Sequence, residues 1–205
     1  MLPLHSESIS QNQLQILTLL GGAEIGVLVG GSALAIQLGH RKSYDLDFVT
    51  HHFVKANADT IKDLLSSYQL KQQLLSDTQY TVFADQVKII LFQDTAPFLY
   101  PSVSFNSSKL AAYQDIFSTK LYILGRRATW RDYCDIAVCL DQHKTTLAQG
   151  ISEAVKRYNV AERWILEPLT YFEDLEMSPI QWISNEYTED EIKKILKNAA
   201  EEYIG

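Results

Sequence analysis

Apolar side chains recur at helical spacing over residues 9–20 (ISQNQLQILTLL), where Ile9, Leu14, Ile16, Leu17 and Leu20 form one stripe. Gly21-Gly22 predicts its end. Residues 25–29 (IGVLV) read as a short buried strand broken by Gly30-Gly31-Ser32. Ser32 is placed to cap a helix that runs to about Leu38 and stops at Gly39. Residues 45–50 (DLDFVT) alternate polar and apolar as a strand does, and His51-His52 lead out of it as exposed residues. A helix is expected from about Asn57 to Tyr68. Strands follow near Gln79–Ala84 and Val87–Gln93, joined by a tight turn at Asp85-Gln86.

Beyond Pro97 and Pro101 the period becomes helical almost throughout. Helices are predicted at about 108–126, 131–141, 146–158, 161–174 and 189–203, with Pro168 kinking the fourth or marking its start. The chain is therefore α+β: an α/β domain over residues 1–105, then a helical domain over 106–205 packing on it.

The totals add bounds. A chain of 205 residues suits one large domain or two small ones, and 46% hydrophobic with 21% charged residues can build a core without disulfides. The start has no basic cluster leading into an apolar run, so no secretory leader is expected. The longest apolar stretch, Ile25 to Ile36, holds three glycines and a serine and is too short to span a bilayer. Together these predict a cytoplasmic protein with no membrane partner. Cys134 and Cys139 then read as buried thiols in a reducing compartment. The net charge of −7 divides into −3 over residues 1–100, +2 over 101–150 and −6 over 151–205. Arg41, Lys42, Lys120, Arg126, Arg127 and Arg131 flank the two motifs described next, so an acidic chain could still present a cationic site.

A strand, then Gly-Gly-Ser, then a helix start can bind an anion: glycine lets the backbone approach a phosphate, and the first helical N–H groups favour negative charge. Glycine can equally serve only the sterics of such a turn. Asp45 and Asp47, two apart on a strand, point to one face. Their repulsion is relieved by a divalent cation, and Mg²⁺ is commonly held by one or two carboxylates together with substrate phosphates. Two metals about 4 Å apart would clamp both oxygens of an in-line phosphoryl displacement. A solvated strand edge is the alternative reading of the acids alone.

The stretch Val29 to Phe48, with GGSALAIQLGHRKSYDLDF at its centre, resembles the signature of the DNA polymerase beta-like nucleotidyltransferase superfamily. Within it the Leu-Gly-His-Arg segment before the acids is similar to the AbiEii/AbiGii toxin-like nucleotidyltransferases. A second block, Asp115-Ile-Phe-Ser-Thr-Lys120, Arg126-Arg127 and Arg131-Asp132-Tyr-Cys-Asp135, also resembles that family, as does the closing LEPLTYFEDLEMSP segment with its final helix. The resemblance implies an N-terminal polymerase beta-like domain with a mixed sheet and a helical domain after it. It implies Mg²⁺ or Mn²⁺ on Asp45 and Asp47, and an NTP held by Gly30, Gly31, Ser32 and Arg41. Lys120 would supply charge to the triphosphate. His40 would lie near a phosphate or base. It implies further a toxin with a cognate antitoxin and an RNA acceptor such as tRNA.

Read from the residues, Asp115 is an N-cap for the Lys120 helix. Asp132 and Asp135 lie on one helix face, either capping and salt-bridging to Arg127 or Arg131, or working as carboxylates that activate the acceptor or hold Lys120. One departure stands out: the third carboxylate of the superfamily would fall at Ile90, in Val87-Lys88-Ile89-Ile90-Leu91-Phe92. Two further readings follow, a catalytically inactive nucleotide-binding or protein-interaction module of the same fold, and a transferase acting on a small molecule or a protein hydroxyl.

Overall fold

The computed structural model describes residues 3–127 and 129–205; Met1 and Leu2, where the leader reading begins, lie outside them. The chain divides into two compact units, Met1–Thr95 with Pro101–Ala112, and Ala96–Tyr100 with Tyr113–Gly205.

The first unit is α+β. After a 3₁₀ turn at Ser6–Ser8, α1 (Gln11–Gly21) opens on a capping box in which Ser10 and Gln13 satisfy each other's backbone N–H groups. Then come β1 (Val27–Val29), α2 (Gly30–Leu38), β2 (Asp45–Thr50), α3 (Val54–Leu64), β3 (Leu70–Leu75), β4 (Gln79–Ala84), β5 (Val87–Gln93), β6 (Val103–Phe105) and β7 (Ser108–Leu110). They form a seven-stranded mixed sheet in the order β3-β4-β5-β2-β1-β7-β6. The β2–β5 and β1–β7 pairs are parallel and the others antiparallel. One face is largely apolar: Leu46 and Phe48 of β2, Ile89 and Leu91 of β5, and Tyr80 and Val82 of β4 are buried, with Ile16, Leu17, Leu20 and Ile61 of the helices. On β5 Lys88, Ile90 and Phe92 alternate with them and are half-buried.

The second unit is helical: α4 (Tyr113–Arg127), α5 (Trp130–Asp141), α6 (Leu147–Tyr158), α7 (Arg163–Leu169) and α8 (Glu189–Ile204). Its start is tied to the short segment 96–100. The Asp115 carboxylate accepts from the backbone N–H groups of Leu99 (2.8 Å) and Tyr100 (3.1 Å), and Arg157 Nε donates to the Pro97 carbonyl at 2.9 Å. Gly150 of α6 allows close approach to α4, since a Cβ there would lie 2.1 Å from Phe117 Cε1.

Four expectations are corrected. The helical run read from residue 108 begins as β7, and its helix starts at Tyr113. The exposed strand β3 and the three-residue strand β6 went unread, because a solvated or very short strand leaves no alternation to detect. The helix expected over 57–68 starts at Val54 and ends at Leu64. The helix expected over 161–174 is confined to Arg163–Leu169, with Pro168 inside its last turn.

Gly150→Ala should lower the unfolding midpoint in thermal or urea denaturation by an amount worth about 1–3 kcal/mol, because an added methyl meets the Phe117 ring and Leu121.

Candidate active site

The site in the first unit is built on one turn. Antiparallel pairing of β1 with β2 sets Val29 opposite Asp47. The chain then turns at Gly30, in left-handed backbone (φ +68°), directly into α2. A Cβ on Gly30 would lie 2.8 Å from Asp47 Oδ2, and one on Gly31 would lie 2.8 Å from Arg41 Nη2. Each glycine therefore makes room for a different side chain, a carboxylate at the first and a guanidinium at the second. Arg41 is almost fully buried and Nη1 donates to the Lys42 carbonyl at 2.8 Å.

Ser32 does not cap α2, contrary to expectation: the helix begins two residues earlier, its N-cap is Val29, and no side chain caps it. The buried Ser32 hydroxyl instead donates to the Asp45 backbone carbonyl and lies 2.9 Å from Ser43 Oγ, so it ties the helix to the acid-bearing strand. The first turn of α2 thus has no side-chain cap. Asp45 and Asp47 are half-buried on one face of β2. In parallel register β5 places Lys88 opposite Asp45 and Ile90 opposite Asp47. The position of the absent third acid is therefore next to the second acid in space. His40, expected near a phosphate or base, is fully buried.

Lys120, Asp132 and Asp135 come together in the second unit. The Lys120 Nζ lies 2.7 Å from Asp132 Oδ1 and 2.8 Å from Asp135 Oδ2, with all three side chains largely or wholly buried. Asp132 also closes the capping box of α5, accepting from the Thr129 amide (2.9 Å) and hydroxyl (2.8 Å). Burial works to raise the Asp132 carboxyl. The Lys120 charge and hydrogen bond, helped by the Thr129 amide, outweigh it and hold the group below the ordinary carboxylate value. Asp115 shifts the opposite way, raised chiefly by burial despite its N–H donors and Arg157. It lies inside α4 and not at its cap, because its carboxylate is committed to Leu99 and Tyr100. Cys134 and Cys139 are buried and form no disulfide with each other, and burial pushes the Cys139 thiol far up.

Among the described residues no group of three or more His, Cys, Asp or Glu side chains gathers as a metal site. Two carboxylates fit Mg²⁺ all the same, because that ion completes its shell with water and substrate phosphates. No helix among the described residues is long and apolar enough to cross a membrane.

No family model matches the chain. It is 25% identical over 181 residues to an uncharacterised protein of Aquifex aeolicus, covering 86% of this chain and 87% of that one. Solved structures of similar shape include MenT4, a nucleotidyltransferase toxin of Mycobacterium tuberculosis (TM-score 0.66, 17% identity, 92% of this chain and 80% of that one). JHP933 of Helicobacter pylori is also similar (TM-score 0.56, 15% identity, 97% and 94%). So is ANT(2'')-Ia in complex with adenylyl-2''-tobramycin (TM-score 0.51, 13% identity, 71% and 98%). The fold is that of the nucleotidyltransferases.

Two outcomes follow from the buried lysine. The sequence alone suggests that Lys120→Ala spares the fold, whereas the structure predicts that Lys120→Met costs about 3–5 kcal/mol in urea denaturation by stranding two buried carboxylates. Adding Asp132→Asn and Asp135→Asn should recover much of that loss. The pH dependence also has a sign. Asp132 has its folded pKa depressed below 3.8, so its contribution is present above that value and is lost as pH falls through the folded pKa. Asp132→Asn should therefore be less stable than the wild type at neutral pH, and the gap should close as pH drops below about 4.

Proposed function

We propose that this chain is a metal-dependent nucleotidyltransferase that moves a nucleoside monophosphate from an NTP to an acceptor hydroxyl and releases pyrophosphate. The observation that carries this is the approach of the Asp47 carboxylate to the Gly30 turn at the uncapped start of α2, within a nucleotidyltransferase fold. Helix N–H groups that donate to phosphate oxygens and carboxylates that coordinate a cation then meet at one place.

In this reading Gly30 and Gly31 offer backbone N–H groups to the phosphates. Ser32 keeps the helix start fixed to β2, and Arg41 places positive charge behind the turn. Asp45 and Asp47 hold Mg²⁺ or Mn²⁺, which when bound supplies charge neutralisation for the reacting phosphate. The acceptor oxygen bonds to the α-phosphorus as the bond from that phosphorus to the bridging oxygen of pyrophosphate breaks. Little covalent chemistry is asked of the protein, so positioning and electrostatics carry the rate. Lys120 takes a triphosphate-directed role on the strength of the family resemblance, with Asp132 and Asp135 holding its amine in place.

The same resemblance, together with the toxin among the similar structures, supports a cytoplasmic toxin paired with an antitoxin and an RNA acceptor such as tRNA. The structure similar to this chain that carries adenylylated tobramycin supports a small-molecule acceptor as the rival. A second reading, a nucleotide-binding or protein-interaction module without turnover, is favoured by one observation: Ile90, an apolar side chain, is opposite Asp47.

Incubation with each α-³²P-labelled NTP, Mg²⁺ and total RNA separates these readings. The expected outcome is transferred label that RNase releases and that Asp47→Ala abolishes. Label that survives RNase shifts the acceptor to a small molecule or protein, and nucleotide binding without transfer favours the module.

A further inference from the structure

The acid face has a cation that neither motif contains. Parallel pairing sets Lys88 of β5 opposite Asp45, and residues opposite each other in neighbouring strands, about 5 Å apart, present side chains to the same face. The row continues through Phe83 of β4 to Lys71 of β3. Lys88 is half-buried, and its side chain makes no hydrogen bond or ion pair with another described residue. Most other lysines of this unit are engaged: Lys42 with the Glu7 carbonyl, Lys55 with Asp77, Lys62 with Asp59 and Lys109 with Glu24. Lys120, the lysine that the motifs single out, is neutralised by two aspartates.

Ile90 gives this arrangement its sense. A carboxylate at that position would stand two residues from Lys88 on the same face of one strand, within reach of the ammonium. It would also add a third negative charge beside Asp45 and Asp47. Isoleucine does neither. Neither acid engages the ammonium although it stands in their own row, and a half-buried cation with no partner among the described residues attracts an incoming anion. A triphosphate approaching two carboxylates is repelled, and a lysine on the same face offsets part of that repulsion as a compact charge suited to phosphate oxygens.

We propose that Lys88 is a positioning residue of this site, its ammonium binding an oxygen of the nucleotide's triphosphate, and that Ile90 keeps it available by contributing no carboxylate. The proposal rests on the nucleotidyl-transfer reading of the same face.

The test uses the full chain, titrated calorimetrically with the non-hydrolysable α,β-imido analogue of each NTP in Mg²⁺, and separately with inorganic tripolyphosphate. Lys88→Gln should weaken both ligands about tenfold or more, the loss of one charge-assisted hydrogen bond. Lys88→Arg should restore most of the affinity, and the thermal midpoint should stay at the wild-type value in both variants. Lys88→Met, which keeps the aliphatic stem, repeats the measurement if glutamine lowers the midpoint. Wild-type affinity in both the Gln and Met variants, with binding still lost in Asp47→Ala, would overturn the role of Lys88 and leave the transfer reading standing. A wild-type protein that binds none of the NTP analogues would remove both.

Discussion

A carboxylate and a guanidinium must reach the same few atoms of backbone, and only residues without a Cβ let them. At Gly30 the Asp47 carboxylate occupies the space a methyl would need, and at Gly31 the Arg41 guanidinium does the same. The antiparallel β1–β2 pair brings Asp47 to that turn, and the Ser32 hydroxyl fastens the helix start to the Asp45 carbonyl. Turn, helix and acidic strand are thus joined by hydrogen bonds and strand pairing, and the positions of Lys88 and Ile90 are set by the register of β5 on β2.

Burial sorts the cations of the chain by what they can still do. Lys120, nearly inaccessible and held at 2.7 and 2.8 Å by two aspartates, stabilises its helices by compensating charge that has no access to water. Arg157 does similar work for the start of α4, donating to the Asp115 carbonyl and to Ser118 Oγ. Lys88 alone pairs half-burial on the acid face with no charged partner among the described residues. A cation held by carboxylates contributes to folding whatever else it does, whereas one with no partner among the described residues has its charge left for a ligand.

The sequence was most legible where local chemistry and tertiary context agree. The strand over Asp45–Thr50, the β4–β5 hairpin and the final helix match expectation because alternation, a two-residue turn with Asp85 in left-handed backbone, and a Thr188–Glu191 capping box are local signals. The seven-stranded order was not legible, since β7, only three residues long, joins β1 in parallel by pairing Leu110 with the distant Leu28. At the site, the types and spacing of Asp45 and Asp47 pointed to a shared face. Ser32 misled, because serine near a helix start favours capping while here its hydroxyl meets a carbonyl from another strand. Asp115 misled for the same reason. Lys88 was passed over because its meaning lies in strand register, which a one-dimensional pattern does not encode; the one hint was the alternation of Lys88, Ile90 and Phe92 with wholly buried neighbours.

The path of the chain between the units has a consequence for dissection. After β5 the backbone leaves the first unit, contributes residues 96–100 to the second, returns for β6 and β7, and departs again at Tyr113. No single cut yields two intact halves. A fragment beginning at Tyr113 would carry Asp115 without the amides of Leu99 and Tyr100 and Arg157 without the Pro97 carbonyl, leaving buried charge unsolvated. A fragment ending at Thr95 would lack the β7 partner of β1, baring that flank of the acid-bearing sheet. The chain is interleaved, so its helical part cannot be cut away from its acid-bearing sheet without stripping bonds from both.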